Sequence, residues 1–111
     1  MFFETANGNQ PARDVIKGFS KDDQKEIGAD IRVVQNNFPI GLPLVRKLKP
    51  DLWEIRSIIT NGFFRVFFTF LSERIILLHA IIKKTNKTPI QEIEVAIARL
   101  KEFKRMQKQS N

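Results

Sequence analysis

The chain of 111 residues has no cysteine, one histidine and one tryptophan. Without cysteine there are no disulfides and no thiolate metal sites, and the redox compartment leaves no trace in the sequence. A lone histidine, His79, supplies too little for the familiar histidine and cysteine metal constellations, so neither a metal nor a cofactor is expected. No glycine-rich phosphate loop and no nucleophile elbow occurs. The carboxylates fall mostly on expected helix exteriors, which gives no support to paired-carboxylate chemistry. The apolar runs are short and are broken by Arg56, Arg65 and Arg74. They fall far below the ~20 residues a helix needs to cross a bilayer. Met1-Phe2-Phe3 meets Glu4 at once, unlike a secretory leader. A cytoplasmic protein with no membrane association is the expectation. No internal repeat or low-complexity segment is present.

What the sequence does have is enough apolar residue, 42%, for a packed core, which makes one globular domain over residues 1–111 the expectation. It also has an uneven positive charge. Residues 1–40 carry five Lys/Arg against six Asp/Glu, residues 41–87 nine against three, and residues 88–111 five against three. Most of the net +7 therefore sits in the middle of the chain. Such a field favours a polyanion, most simply nucleic acid, although a solvated basic surface that aids solubility has the same composition.

That middle region reads as three strands. Residues 52–59 are LWEIRSII, residues 63–71 FFRVFFTFL and residues 74–82 RIILLHAII, rich in β-branched and aromatic side chains and separated by short turns. Asn61-Gly62 is a strong hairpin signal, and Leu71-Ser72-Glu73 a weaker one. Alternation along a strand puts Arg65 with Phe63, Phe67 and Thr69, opposite Phe64, Val66, Phe68 and Phe70. It puts Arg56 with Leu52, Glu54 and Ile58, opposite Trp53, Ile55 and Ile59. The same rule groups His79 with Ile75, Leu77, Ile81 and Lys83. The simplest arrangement is a sheet with one face in the core and the other carrying cations beside exposed aromatics.

Around these strands the chain reads in order. Residues 1–5 suggest a short edge strand that begins abruptly. Pro11 suits a first helical position, and residues 12–19 suggest a short helix with Val15, Ile16 and Phe19 inward. Ser20 is a good N-cap for a second helix over residues 21–36, with Asp22 and Asp23 in its first turn and Ile27, Ile31, Val34 and Phe38 on one stripe. Residues 38–50 read as a loop punctuated by Pro39, Gly41, Pro43 and Pro50. Arg46, Lys47 and Lys49 either extend the basic surface or are ordinary solvated loop charges. After the basic run of Lys83, Lys84 and Lys87, Thr88-Pro89-Ile90-Gln91 reads as a helix start with Thr88 as N-cap and Gln91 as capping-box partner. Ile90, Ile93, Ala96, Ile97, Leu100 and Phe103 follow at helical spacing, and fraying is expected beyond Met106. The fold class is α+β: two N-terminal helices on a twisted antiparallel sheet, with a C-terminal helix.

The W-E-I-R segment at residues 53–56, the F-R-V-F-F segment at 64–68 and the sequence LLHAIIKKTNKTPIQEIE at 77–94 resemble the HigB-like branch of the RelE/ParE toxin superfamily, which includes phage-derived relatives. The K-K-x-x-K-T-P-x-x-E-I run is the most specific part, and the resemblance covers roughly residues 2–104. It implies a RelE-like fold and the toxin of a type II toxin–antitoxin system. Such toxins are ribosome-dependent endoribonucleases, or mRNA interferases, that cut mRNA without metal and so inhibit translation. The resemblance also implies a cognate antitoxin, often a helix-turn-helix DNA-binding protein, with operator DNA engaged only through the toxin–antitoxin complex.

The implied chemistry suits a cationic surface. The 2′-hydroxyl attacks the adjacent phosphate, and fixed Arg and Lys side chains stabilise the charge gathered on the phosphorane. Arg adds a fork that matches phosphate oxygens. Arg56 and Arg65 stand where similar toxins line the RNA cleft with strand cations. Each has a structural alternative, such as pairing with Glu54. Lys83, Lys84 and Lys87 are further catalytic candidates, or a solvated loop. His79 is either the proton shuttle that titrates near neutrality or a buried, hydrogen-bonded core histidine. Similar toxins also use tyrosine near the cleft, and this chain has none, so the general acid and base are unassigned. Arg46, Lys47 and Lys49 are candidate RNA contacts. Trp53 and Phe63 are core residues first and base-stacking candidates second. A ParE-like gyrase inhibitor that cleaves nothing, and a non-catalytic nucleic-acid-binding protein, are the alternatives.

Overall fold

The computed structural model describes residues 1–60, 62–85 and 87–109. Its elements run α1 (Pro11–Lys17), α2 (Lys21–Asn37), β1 (Val45–Lys49), β2 (Leu52–Ile59), β3 (Gly62–Leu71), β4 (Arg74–Lys83) and α3 (Ile90–Gln109). The four strands form one antiparallel meander in the order β1-β2-β3-β4. This is the expected α+β, RelE-like architecture. Among the described residues no helix is long and apolar enough to cross a membrane.

Helices pack on both faces of the sheet. On one side Ala12, Ile27 and Val34 of α1 and α2 meet Ile55, Ile59, Phe64, Val66 and Phe68. On the other side Ala96, Leu100 and Phe103 of α3 meet Leu52, Phe67, Ile76 and Leu78. The one-sided sheet is therefore corrected: α3 buries much of the face that carries the cations.

Local chemistry explains most element ends. Ser20 accepts from the Asp23 amide at 3.2 Å, which satisfies one free donor at the start of α2. Asp23 itself accepts from the Thr60 hydroxyl and amide at 2.9 and 3.3 Å, tying α2 to the end of the β2–β3 hairpin. Asn61, half of the hairpin signal there, lies outside the described residues. At the β3–β4 turn Ser72 and Glu73 both have positive φ, 53° and 65°, the twist a tight hairpin needs. Gln35 holds that turn from α2, donating to the Glu73 carbonyl and accepting from the Ile75 amide at 3.1 and 3.0 Å.

Four further expectations are corrected. Residues 45–49 are a strand rather than loop, paired with β2. The N-terminal residues form no strand of their own; Phe2 makes a single parallel bridge to Leu77. α3 starts at Ile90 and continues to Gln109, because Met106 still packs against its core. Finally, the β3–β4 register shifts between Phe67 and Phe68, so that Leu78 is an extra residue on β4. This bulge breaks strict alternation. Ile75 and Leu77 face α1 and α2, while Leu78 packs toward α3 and His79 stacks on Phe67.

Candidate functional site: an arginine pair on the α3 face

Strand register assembles the site. Arg46 pairs with Glu54, which pairs with Phe67, which pairs with His79. In the next row Arg56 pairs with Arg65 and Arg65 with Ile81; in the row beyond, Ile58 pairs with Phe63 and Phe63 with Lys83. Same-face residues recur every second position, so Glu54, Arg56, Arg65 and Lys83 share one face. α3 covers the far part of that face and leaves this end open, as the 74% exposure of Ile58 shows.

Arg65 is the most deeply placed cation, 2% exposed. Its guanidinium donates to the Phe64 carbonyl at 3.2 Å and lies 5.6 Å from the Phe63 ring centre. Burial pushes its pKa below the ordinary arginine value; Arg56 pushes the same way, Glu54 opposes and Arg46 adds a smaller push. Arg56 is half-buried and donates to Glu54 Oε1 at 3.1 Å. The two arginines, Phe63, Ile58 and Pro43 line a small pocket of about 160 Å³.

Glu54 is fully buried. A buried carboxylate is costly unless paired and hydrogen-bonded. Here Oε1 takes Arg56 and Oε2 takes the Thr88 hydroxyl at 2.9 Å. Glu54 thus holds Arg56 directly and acts on Arg65 through its charge, with Arg46 opposite it in strand register. The sequence exposed Glu54 as a partner for Arg56. It gave no sign of the Thr88 contact, because that residue also fits a helix start.

Lys83 lies on the same face, and its ammonium donates to the Lys87 carbonyl, which folds the basic run back on itself. Lys84 and Lys87 are exposed. Asn86, within this run, lies outside the described residues. Arg46 is exposed on β1, in the row of Glu54, and Lys49 is exposed beyond a register shift in β1. Trp53 and Lys47 do not join the cluster. Trp53 faces the α1–α2 side, packed on Phe38 and Phe68, and the Lys47 ammonium sits 5.7 Å from its ring centre.

His79 belongs to a different constellation. Its Nε2 meets Glu92 Oε2 at 2.9 Å, its Nδ1 meets the Arg99 guanidinium at 2.8 Å, and its ring stacks on Phe67. A guanidinium has only donors, so Nδ1 accepts and Nε2 carries the proton given to Glu92. Both nitrogens are engaged in fastening β4 to α3, which leaves no lone pair for a substrate proton. Burial lowers the His79 pKa below the usual value; the Glu92 hydrogen bond opposes this and Arg99 reinforces it. Among the described residues no three His, Cys, Asp or Glu side chains gather as a metal site.

The arrangement can therefore hold an anion against two guanidiniums beside an aromatic ring. A family model described as phage derived protein Gp49-like matches residues 14–101. No curated protein matches the chain.

Proposed function

Because this chain belongs to the Gp49-like family of phage derived proteins, a RelE-like toxin family, we propose that it is the toxin of a type II toxin–antitoxin system and acts as an endoribonuclease on mRNA at the ribosome. The observation that carries this reading is the direct cross-strand pair of Arg56 and Arg65 at the floor of an open pocket.

The reaction is an internal transesterification. The 2′-oxygen bonds to phosphorus as the bond to the 5′-oxygen breaks. The 2′-hydroxyl loses its proton, the leaving oxygen gains one, and a 2′,3′-cyclic phosphate and a 5′-hydroxyl result. The trigonal-bipyramidal phosphorane carries more charge on its non-bridging oxygens than the starting diester. Two guanidiniums fixed before substrate arrives stabilise that excess most, since they need no reorganisation at the moment of reaction. Phe63 offers a face for a splayed base beside the phosphate. Lys83 adds charge along the strand, and Arg46 extends it across β1. A cognate antitoxin, expected to be a helix-turn-helix protein, neutralises the toxin.

Primer extension on a defined mRNA in translating ribosomes tests this. Discrete cuts within codons are expected with the wild type and not with Arg65→Met. Uncut mRNA with growth still arrested would move the protein to the gyrase-inhibitor class. Uncut mRNA with normal growth would leave a binding protein.

A further inference from the structure

The proposed reaction does not use the Thr88–Glu54 contact, although this hydrogen bond ties the residue after Lys87 to the carboxylate that holds Arg56. Thr88 lies one residue past Lys87, whose carbonyl holds the Lys83 ammonium. Its hydroxyl crosses to Glu54, 34 residues earlier in the chain, and the other oxygen of the same carboxylate holds Arg56. A helix start explains a threonine at this place only if the hydroxyl caps the helix. Here α3 begins at Ile90, and the Glu92 and Ile93 amides reach the Pro89 carbonyl at 3.1 and 3.3 Å. The Thr88 hydroxyl points instead at a fully buried anion.

We infer that Thr88 and Glu54 are positioning residues, a carboxylate bridge that sets where the Lys83–Lys87 connection sits relative to Arg56, so that strand arginines and loop lysines meet the same phosphodiester segment. Two features give the bridge that leverage. Glu54 is a firm anchor point: it sits mid-strand, fully buried and paired in register with both Arg46 and Phe67. Among the described residues of the connection only Lys83 pairs in the sheet, so side-chain contacts such as Thr88–Glu54 help to fix its place. The ligand is a single-stranded polynucleotide backbone. The kinetic consequence rests on the endoribonuclease reading; the binding consequence does not.

The experiment compares wild type, Thr88→Val, Thr88→Ser and Glu54→Gln. Binding of a single-stranded oligoribonucleotide blocked by 2′-methoxy groups is measured by fluorescence anisotropy. Cleavage is measured on translating ribosomes, and melting temperature is followed by circular dichroism. Val matches threonine in shape but cannot donate, so Thr88→Val should bind the blocked oligonucleotide about tenfold more weakly while remaining folded at the assay temperature. Thr88→Ser, which restores the hydroxyl, should recover most of that binding and the cleavage rate with it. Glu54→Gln separates positioning from charge. If Glu54 acted only as a negative charge among cations, neutralising it would tighten anion binding; a positioning role makes binding weaker.

Wild-type affinity in Thr88→Val, equal losses in Thr88→Val and Thr88→Ser, tighter binding in Glu54→Gln, or no binding by the wild type would each overturn the inference. If the wild type binds with this pattern of variants yet cuts nothing, the bridge stands as part of a polynucleotide site and the endoribonuclease reading fails alone.

Discussion

Arg56 and Arg65 face each other directly across the β2–β3 pair, two cations at a position where strand neighbours ordinarily attract or at least ignore one another. Like charges directly opposite destabilise a sheet. The buried Glu54 carboxylate offsets part of the repulsion by holding Arg56. A bound anion would lower the repulsion between the two like charges further. Local conflict of this kind marks functional sites, where a sequence departs from what stability alone would select.

The two arginines should respond differently to substitution. Arg65 is buried, so truncating it removes core packing as well as charge. Arg65→Ala should destabilise the fold by about 2–5 kcal/mol, as for other large-to-small core changes. Arg65→Met, which fills the space, should fold and yet lose cleavage by a factor of roughly 10² or more. Arg56→Lys should keep the pairing with Glu54 and the fold but lose the planar fork, with a clear drop in cleavage. Denaturant unfolding beside the ribosome assay checks all three.

Acidification should loosen α3. The His79 pKa is lowered in the fold, so the unfolded chain binds the proton more readily. The corresponding stability is fully present above the ordinary histidine value of about 6.5 and is lost as pH falls from there through the folded-state value. Each unit of separation corresponds to about 1.4 kcal/mol. Protonation at Nδ1 also ends its role as acceptor for Arg99. Unfolding free energy should therefore fall between neutral and mildly acidic pH, and His79→Gln should flatten that dependence. Nitrogen NMR should find the Nε2–H tautomer at neutral pH; the Nδ1–H form would refute the assignment.

Affinity for a blocked single strand should fall with salt. Release of counterions from single strands gives a slope of about −0.7 per neutralised phosphate. With Arg56, Arg65, Lys83 and Arg46 engaged, the log–log slope should lie between about −2 and −3. A slope near zero would mean that the cations do not meet the phosphate backbone.

Gly62→Ala should act on both fold and site. A Cβ at Gly62 would lie 2.5 Å from the Lys83 carbonyl oxygen, which is backbone and cannot swing aside. Strands β3 and β4 must separate there, at a cost of about 1–3 kcal/mol. Lys83 shifts with its backbone, so RNA affinity should drop along with melting temperature. Unchanged stability would show that the hairpin end is more pliable than its packing suggests.

By itself the sequence determined the elements and the faces. β-branched and aromatic runs set β2, β3 and β4; Ser20 and the Ile27–Ile31–Val34 stripe set α2; and simple alternation placed Arg56 opposite Trp53 and Arg65 opposite Phe64 and Val66 within their strands, because side-chain direction is a local property of an extended backbone. Three things were decided only by the tertiary structure. β1 exists because Val45 and its neighbours find β2 as a partner, a long-range pairing that the proline-rich local signal concealed. The bulge at Leu78 turned His79 into a clamp on Glu92 and Arg99, residues 13 and 20 positions along the chain. The Thr88 hydroxyl found Glu54 across 34 residues. Periodicity reports which way a side chain points; which distant partner it meets depends on how separate elements pack, and no local pattern in the chain encodes that.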